Sequence, residues 1–366
     1  MTFKEKLHTL SPMLYPILKE ILFRLPPEKA HDFTLRVASL SPALGKLMGI
    51  SPDPRLSVKI GNTIWPFPVG LAAGLDKNAE ALAFFSAQGF GAVECGTITM
   101  RPQDGNARPR MWRYPDEKSL RNAMGFPNHG LSDIWNRLHA FERTTPLGAN
   151  LGKNKESDRD QSIDELALMM ASLEELVDYF VINVSSPNTP GLRAFQERTY
   201  LRELFKELNR VRGGKDLYLK IAPDLDGDKI KELCETAFDC NLTGLIATNT
   251  TIMPERGPGG MSGEMLRPRA TYIRSEILSL RTTLELIGVG GVSGFSDLLK
   301  FWEEGGKVMQ VYTAYIFQGP DVLHRIKRDA LRFVEFIPEK SLQKFFDLKL
   351  SERQERIREF RKAYPA

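Results

Sequence analysis

From about residue 67 onward, short apolar runs alternate with longer segments whose apolar positions recur at helical spacing. The runs are FPVGLA (67–72), AVECG (92–96), PLGANL (146–151), YFVINV (179–184), LYLKI (217–221), GLIAT (244–248), LIGVG (286–290) and VMQVY (308–312). Each is rich in Val, Ile and Leu and is bounded by Gly, Asn, Pro or Thr, as a strand buried on both faces should be. Helices are expected between them at 78–88, 131–141, 161–176, 197–211, 226–239, 268–280 and 294–303, with a last one at 319–335. Strand and helix alternating eight times predicts an α/β fold, the (β/α)8 TIM barrel. An open doubly wound sheet competes with it, but usually has fewer strands.

The first 60 residues break this alternation. Met13, Leu14, Ile17, Leu18, Ile21 and Leu22 form an apolar stripe that stops at Leu25-Pro26-Pro27, and a second helical pattern covers Glu28–Leu47. This N-terminal helical pair reads equally as a cap packed on the barrel or as an apolar surface that meets a membrane or a lipophilic substrate. The stretch after Phe336 is charged and helical (KLSERQERIREFRKAY), the pattern of a solvated peripheral helix. Three regions follow: an extension at 1–50, a barrel at 51–336 and a C-terminal helical tail at 337–366.

Composition narrows the function. With 42% hydrophobic and 26% charged residues, the chain is ordinary for a globular protein. Its 50 basic and 46 acidic residues leave a net charge of +4 without basic blocks, so no nucleic-acid footprint is expected. Cys95, Cys234 and Cys240 form no CxxC pair, which points to a reducing compartment and to no zinc site. No run approaches the roughly 20 apolar residues that span a bilayer, and the N-terminus lacks a secretory pattern. The expected location is the cytosol or a membrane surface.

In a TIM barrel, chemistry sits at the C-terminal ends of the strands. Here these ends deliver Lys77, Gly96-Thr97, Asn150, Asn183 with Ser186 and Asn188, Lys220, Thr248-Asn249-Thr250, Gly290-Gly291 and Tyr312-Thr313. Any single buried Asn could be a satisfied structural group. So many together imply a planar ligand rich in carbonyl and N–H groups, because a buried polar group left unpaired costs roughly 1–3 kcal/mol. Gly290-Gly291 and Tyr312-Thr313 follow the last two strands, where barrels commonly hold a phosphate. Lys77 and Lys220 would stabilise an anionic reduced flavin or an anionic substrate. No GxGxxG follows the first strand, and none of the five histidines lies at a strand end. Rossmann-type nicotinamide binding, metal catalysis and a Ser-His-Asp triad therefore lack candidates. A hydroxyl base such as Ser186 would have to pass its proton onward.

At these residues the sequence resembles the dihydroorotate dehydrogenases, specifically the membrane-associated, quinone-dependent class 2. The resemblance runs from roughly Pro16 to Leu331 through GLAAGLDKNAE (70–80), GTITMRPQDGNARPRMWR (96–113), RNAMGF (121–126), GANLGKNK (148–155), INVSSPNTPGLR (182–193), KIAPDL (220–225), IATNTT (246–251), GGMSG (259–263) and GVGGVSG (288–294). A serine, Ser186, stands where class 1 relatives place a cysteine base. One departure is Pro127, where many class 2 members have Asn. It is expected to alter a loop, not the substrate.

The resemblance implies oxidation of dihydroorotate to orotate with FMN as cofactor and a membrane quinone as acceptor. Ser186 would remove the C5 proton while hydride leaves C6 for flavin N5, with Thr189 and Phe126 helping to relay the proton and shape the pocket. Substrate contacts would be Lys77, Asn122, Ala123, Met124, Gly125, Phe126, Asn183, Asn188, Asn249 and Thr250. FMN contacts would be Ala73, Gly74, Lys77, Thr97, Asn150, Asn183, Lys220, Thr248, Gly263, Gly291, Tyr312 and Thr313. His31, Arg113 and Tyr312 would line a quinone tunnel, with the N-terminal helices in peripheral contact with the cytoplasmic side of a membrane. A class 1 enzyme would need a Cys base, and a tRNA dihydrouridine synthase would need a basic face. A non-catalytic barrel at a membrane surface would have lost its strand-end polar residues.

Overall fold

The computed structural model describes residues 15–188 and 197–365. Met13, Leu14 and Thr189 lie outside the described residues. The eight apolar runs form β1 (Val69–Leu71), β2 (Val93–Ile98), β3 (Leu147–Leu151), β4 (Tyr179–Asn183), β5 (Asp216–Ile221), β6 (Gly244–Ala247), β7 (Glu285–Val289) and β8 (Val308–Val311). All pair in parallel, and β8 pairs with β1 through Met309↔Val69 and Gln310↔Gly70 to close the barrel. Their residues are almost wholly buried because helices cover the outside while side chains fill the inside. The fold is a TIM barrel.

The helix expected at 78–88 shrinks to Leu82–Ser86. Asp76 takes the backbone N–H groups of Glu80 and Ala81 on its two carboxylate oxygens, each at 2.8 Å, and thereby holds 77–81 as a loop. At the other end of the barrel a hairpin, Val58–Ile60 and Thr63–Trp65, closes the floor. The Trp65 ring lies so close beneath Gly70 that a side chain there would collide with it, and a side chain at Gly91 would strike the Phe67 carbonyl beside the same ring. Asp216 fixes the hairpin, accepting from Asn62 N at 2.7 Å, Asn62 Nδ2 at 3.1 Å and Thr63 Oγ1 at 3.1 Å.

Among the described residues, three α-helical segments and a short 3-10 turn (Pro54–Leu56) precede the hairpin where two helices were expected. Residues 15–24 are helical, then Pro27–Leu40 and Pro42–Met48. The second pattern divides at Ser41-Pro42 because proline has no N–H to continue the helix and constrains the residue before it. The tail is also more than a solvated helix. Leu342–Phe346 and Leu350–Ala363 pack back on the barrel helices, burying Phe345, Phe346, Ile357 and Phe360. Phe360 meets Phe333 at a centroid distance of 5.2 Å and Phe336 at 5.6 Å, so the charged residues occupy only its outer face.

An unanticipated four-stranded antiparallel sheet, in the order Thr251–Ile252, Gly260–Gly263, Ser119–Asn122, Met111–Tyr114, stands beside the mouth of the barrel. Asn122 is paired on both sides, with Met111 and Gly260.

Candidate active site

The mouth of the barrel opens into two adjoining polar cavities. The longer is lined by Ala73, Gly74, Asn122, Thr248, Thr250, Gly263, Gly291 and Thr313, among others. The smaller is lined by Thr97, Met124, Gly125, Phe126, Asn183, Ser186 and Asn188. Lys77, Lys220 and Asn249 border both. Most of the residues singled out from sequence therefore converge on one place, although they come from most of the barrel strands, or the loops that follow them, and from the antiparallel sheet.

A chain of amides holds this convergence. Thr97 Oγ1 donates to Asn150 Oδ1 at 2.6 Å, and Asn183 Nδ2 donates to Thr97 Oγ1 at 3.0 Å. Asn249 Nδ2 donates to Asn183 Oδ1 at 3.2 Å and to Ser185 Oγ at 3.1 Å. Asn150 lies fully buried behind the cavity wall, and its Nδ2 reaches Glu94 Oε1 at 2.7 Å. Glu94, buried inside β2, also accepts from Gln310 Nε2 at 2.6 Å and stands 3.6 Å from the Lys220 ammonium. Sequence reasoning passed over Glu94 and Gln310. The signal was present, since AVECG and VMQVY each carry one polar residue in an otherwise apolar strand.

Ser186 is buried and its Oγ accepts the backbone N–H of Asn188 at 3.2 Å. Asn188 Nδ2 donates to Asn122 Oδ1 at 3.0 Å, and Asn188 Oδ1 has no partner among the described residues. Ala123 does not line either cavity. Its carbonyl accepts from Asn106 Nδ2 at 3.0 Å, and the same amide reaches Asn188 O at 2.9 Å. Asn106 is a further residue that the sequence reading left without a role. Phe126 adopts a left-handed backbone conformation, with φ of 55°. Lys77 donates through Nζ to Gly74 O at 2.7 Å. Burial holds its ammonium down at about 8, against the pull of the neighbouring Asp76 carboxylate.

A third cavity lies between the N-terminal helices and the barrel. It is apolar, bounded by Leu22, Ala30, Leu35, Ala38, Phe84 and Leu120, and His31, Arg113 and Tyr312 are its polar lining together with Tyr15, Thr34 and Tyr315. Arg113 donates to the carbonyl oxygens of Leu22 and Leu25 at the C-terminal end of the first helix. Burial, reinforced by Lys77, pushes the His31 imidazolium down to about 3, so the ring is neutral at ordinary pH. Tyr312 faces both this cavity and the longer polar one.

The family model described as dihydroorotate dehydrogenase matches residues 55–334. The chain belongs to the dihydroorotate dehydrogenase family. It is thus an enzyme of an oxidoreductase family. A Myxococcus xanthus protein named dihydroorotate dehydrogenase (quinone) is 41% identical over 332 residues, covering 86% of this chain and 92% of that one. A Thermus thermophilus protein of the same name is 39% identical over 334 residues, covering 87% and 96%. Among solved structures, DHODH from Eimeria tenella in complex with ferulenol superposes with a TM-score of 0.80 at 32% identity, covering 91% of this chain and 99% of that one.

Proposed function

We propose that the protein oxidises dihydroorotate to orotate and passes the electrons through FMN to a membrane quinone. The observation that carries this reading is the placing of Ser186 among Asn183, Asn188 and Lys77 in a small polar cavity that adjoins a longer one. The names of the relatives support the same substrate and acceptor.

The residues of the longer cavity fit a flavin nucleotide. Gly263 and Gly291 have left-handed backbones where a Cβ would strike the Lys118 carbonyl or Arg267, so only glycine keeps that wall open. Gln310 borders the cavity, and its buried Oε1 has no partner among the described residues. The buried Lys220 ammonium adds positive charge. When bound there, FMN would supply N5 as acceptor for the hydride leaving C6.

The chain's own groups do the rest. Ser186 Oγ takes the C5 proton as its own hydroxyl proton passes onward, and the Asn188 N–H, bonded to that oxygen, fixes its position. Asn122, Asn183, Asn188, Asn249 and Thr250 match the carbonyl and N–H edges of the pyrimidine, and Lys77 is the counter-charge for its carboxylate. Thr189 completes the proton relay in this reading. The apolar cavity receives the quinone between His31, Arg113 and Tyr312. No helix among the described residues is long and apolar enough to cross a membrane. Ile17, Leu18, Ile21, Phe33, Val37 and Leu40 are exposed on the N-terminal helices, which suits peripheral contact with the cytoplasmic side of a bilayer.

The test is anaerobic stopped-flow absorbance of the purified protein with dihydroorotate, followed by a short-chain quinone. Rapid bleaching and reoxidation by quinone, but not by fumarate or NAD, is the expected result. A bound flavin that dihydroorotate leaves oxidised would discard the substrate, and protein isolated without flavin would discard the cofactor.

A further inference from the structure

Phe126 forms part of the wall of the small cavity, and its conformation is held from outside that cavity. Both Gly125 and Phe126 have positive φ, 70° and 55°. For a non-glycine residue this region costs about 1 kcal/mol or more, so it persists only where neighbours enforce it. The ring lies over Gly152, where an added Cβ would come within 3.1 Å of Phe126 Cε2 and 2.6 Å of Thr97 Cγ2.

The enforcing group is the side-chain amide of Gln103. Its Nε2 donates to Gly125 O and to Phe126 O, each at 3.1 Å. Its Oε1 accepts from Asn154 Nδ2 at 2.9 Å and from Lys155 N at 3.1 Å. Both donors and both acceptor positions of the amide are thus used, and the partners fix which end is nitrogen. Its backbone is bound as well, since Gln103 and Asn128 exchange N–H···O bonds of 3.0 Å in both directions. Asn128 Nδ2 adds a second donor to Phe126 O at 2.9 Å. Asn154 is itself anchored to the backbone of Arg101 through both ends of its amide, at 2.9 Å each.

We propose that Gln103 is a positioning residue of the reaction: its amide clasps the carbonyls of Gly125 and Phe126 to the 154–155 loop, and so sets the distance between the Phe126 ring and the substrate beside Ser186. Gln103 touches neither substrate nor cofactor. The inference rests on the reading of the small cavity as the dihydroorotate site.

Gln103→Glu tests it, because the variant keeps the shape and the accepting side of the amide while its carboxylate confronts two carbonyl oxygens. Flavin reduction by dihydroorotate should slow roughly ten- to a hundredfold at pH 8, because Gly125 O loses its donor and the carboxylate repels both Gly125 O and Phe126 O, which keeps only the Asn128 amide. The variant-to-unmutated rate ratio should rise as pH falls toward 5, because a protonated carboxyl again donates one hydrogen bond. Reoxidation by quinone should be unchanged. In hydrogen exchange of the full-length holoprotein, the 123–129 backbone should exchange faster while the barrel strands do not. Should Gln103→Glu fail to fold, Gln103→Met is read by the same exchange and reduction measurements. Unaltered reduction and unaltered exchange at 123–129 in either variant would overturn the proposal, as would a rate ratio indifferent to pH in Gln103→Glu. If the unmutated protein is not reduced by dihydroorotate, the substrate reading fails, and the exchange measurement still decides whether the clasp exists.

Discussion

Asn188 and Asn122 are joined by a 3.0 Å hydrogen bond that ties the loop after β4 to the antiparallel sheet beside the barrel mouth. The same Asn188 presents its backbone N–H to Ser186 Oγ, so the position of the serine oxygen depends on a contact made outside the barrel. Replacing Ser186 by Ala removes the base and leaves this frame standing. Flavin reduction by dihydroorotate should fall about 10²–10⁴-fold, with partial recovery as pH rises and hydroxide substitutes. Orotate affinity, measured by the shift it induces in flavin absorbance, should change little. An unchanged reduction rate would remove Ser186 from the base role.

Lys77 gives orotate binding a pH dependence. Its ammonium is held down at about 8 in the ligand-free protein, so it is charged below that pH and neutral above it. A bound carboxylate favours the charged form, and affinity must therefore drop as pH rises through 8, approaching tenfold per unit where Lys77 alone titrates. Titration of the oxidised protein with orotate between pH 7 and 10 reads this directly. Lys77→Met should bind weakly across the range and flatten the profile, and a flat profile in the unmutated protein would separate Lys77 from the carboxylate.

The apolar cavity can be filled without touching the polar ones. Ala30 is nearly fully buried and faces it from the helix Pro27–Leu40. Ala30→Trp should slow reoxidation of the reduced enzyme by a short-chain quinone at least about tenfold, equivalent to 1.4 kcal/mol. Reduction by dihydroorotate should be unaffected. Equal slowing of both half-reactions would argue that the two cavities are not separate stations.

Gly263 has φ of 87°, and a Cβ there would lie 2.4 Å from Lys118 O and 2.9 Å from Thr313 Cγ2. Gly263→Ala must therefore shift the wall of the longer cavity. The expected outcome is substoichiometric flavin after desalting, read from the ratio of flavin to protein absorbance, in a protein that remains folded by circular dichroism. Full retention of flavin would place the cofactor away from Gly263.

The tail carries stability. Phe360 is buried among Phe295, Phe333 and Phe336, with centroids at 6.2, 5.2 and 5.6 Å. Phe360→Ala should cost about 3 kcal/mol or more, since a cavity remains where the ring packed. Scanning calorimetry would register a clear fall in Tm, whereas a shift under one degree would mean that the tail packs without contributing.

The barrel strands were legible because each is buried on both faces and so reads as an unbroken apolar run, and the catalytic end could then be found by counting. The antiparallel sheet was not legible. Its strands are two to four residues long, and RNAMGF and GGMSG look like loops, because they stand beside the mouth and not in the core. Glu94 and Gln310 stood inside recognised strands, but their value depends on meeting each other across the barrel, 216 residues apart. Gln103 and Asn106 lie in a polar connection where no periodicity distinguishes a clasp from a solvated side chain. The tail misled in the opposite direction. A helix with buried Ile357 and Phe360 and charges elsewhere has too narrow an apolar stripe to announce the aromatic cluster it completes.

Because Trp65 packs under Gly70 and side chains fill the interior, the barrel is closed at its floor. Among the described residues, the cavities proposed for substrate and flavin lie at the opposite end, where the strands finish. In the proposed reaction, orotate must leave the mouth side before the next dihydroorotate can occupy the same site. Turnover on that side of the flavin is alternation, not flow.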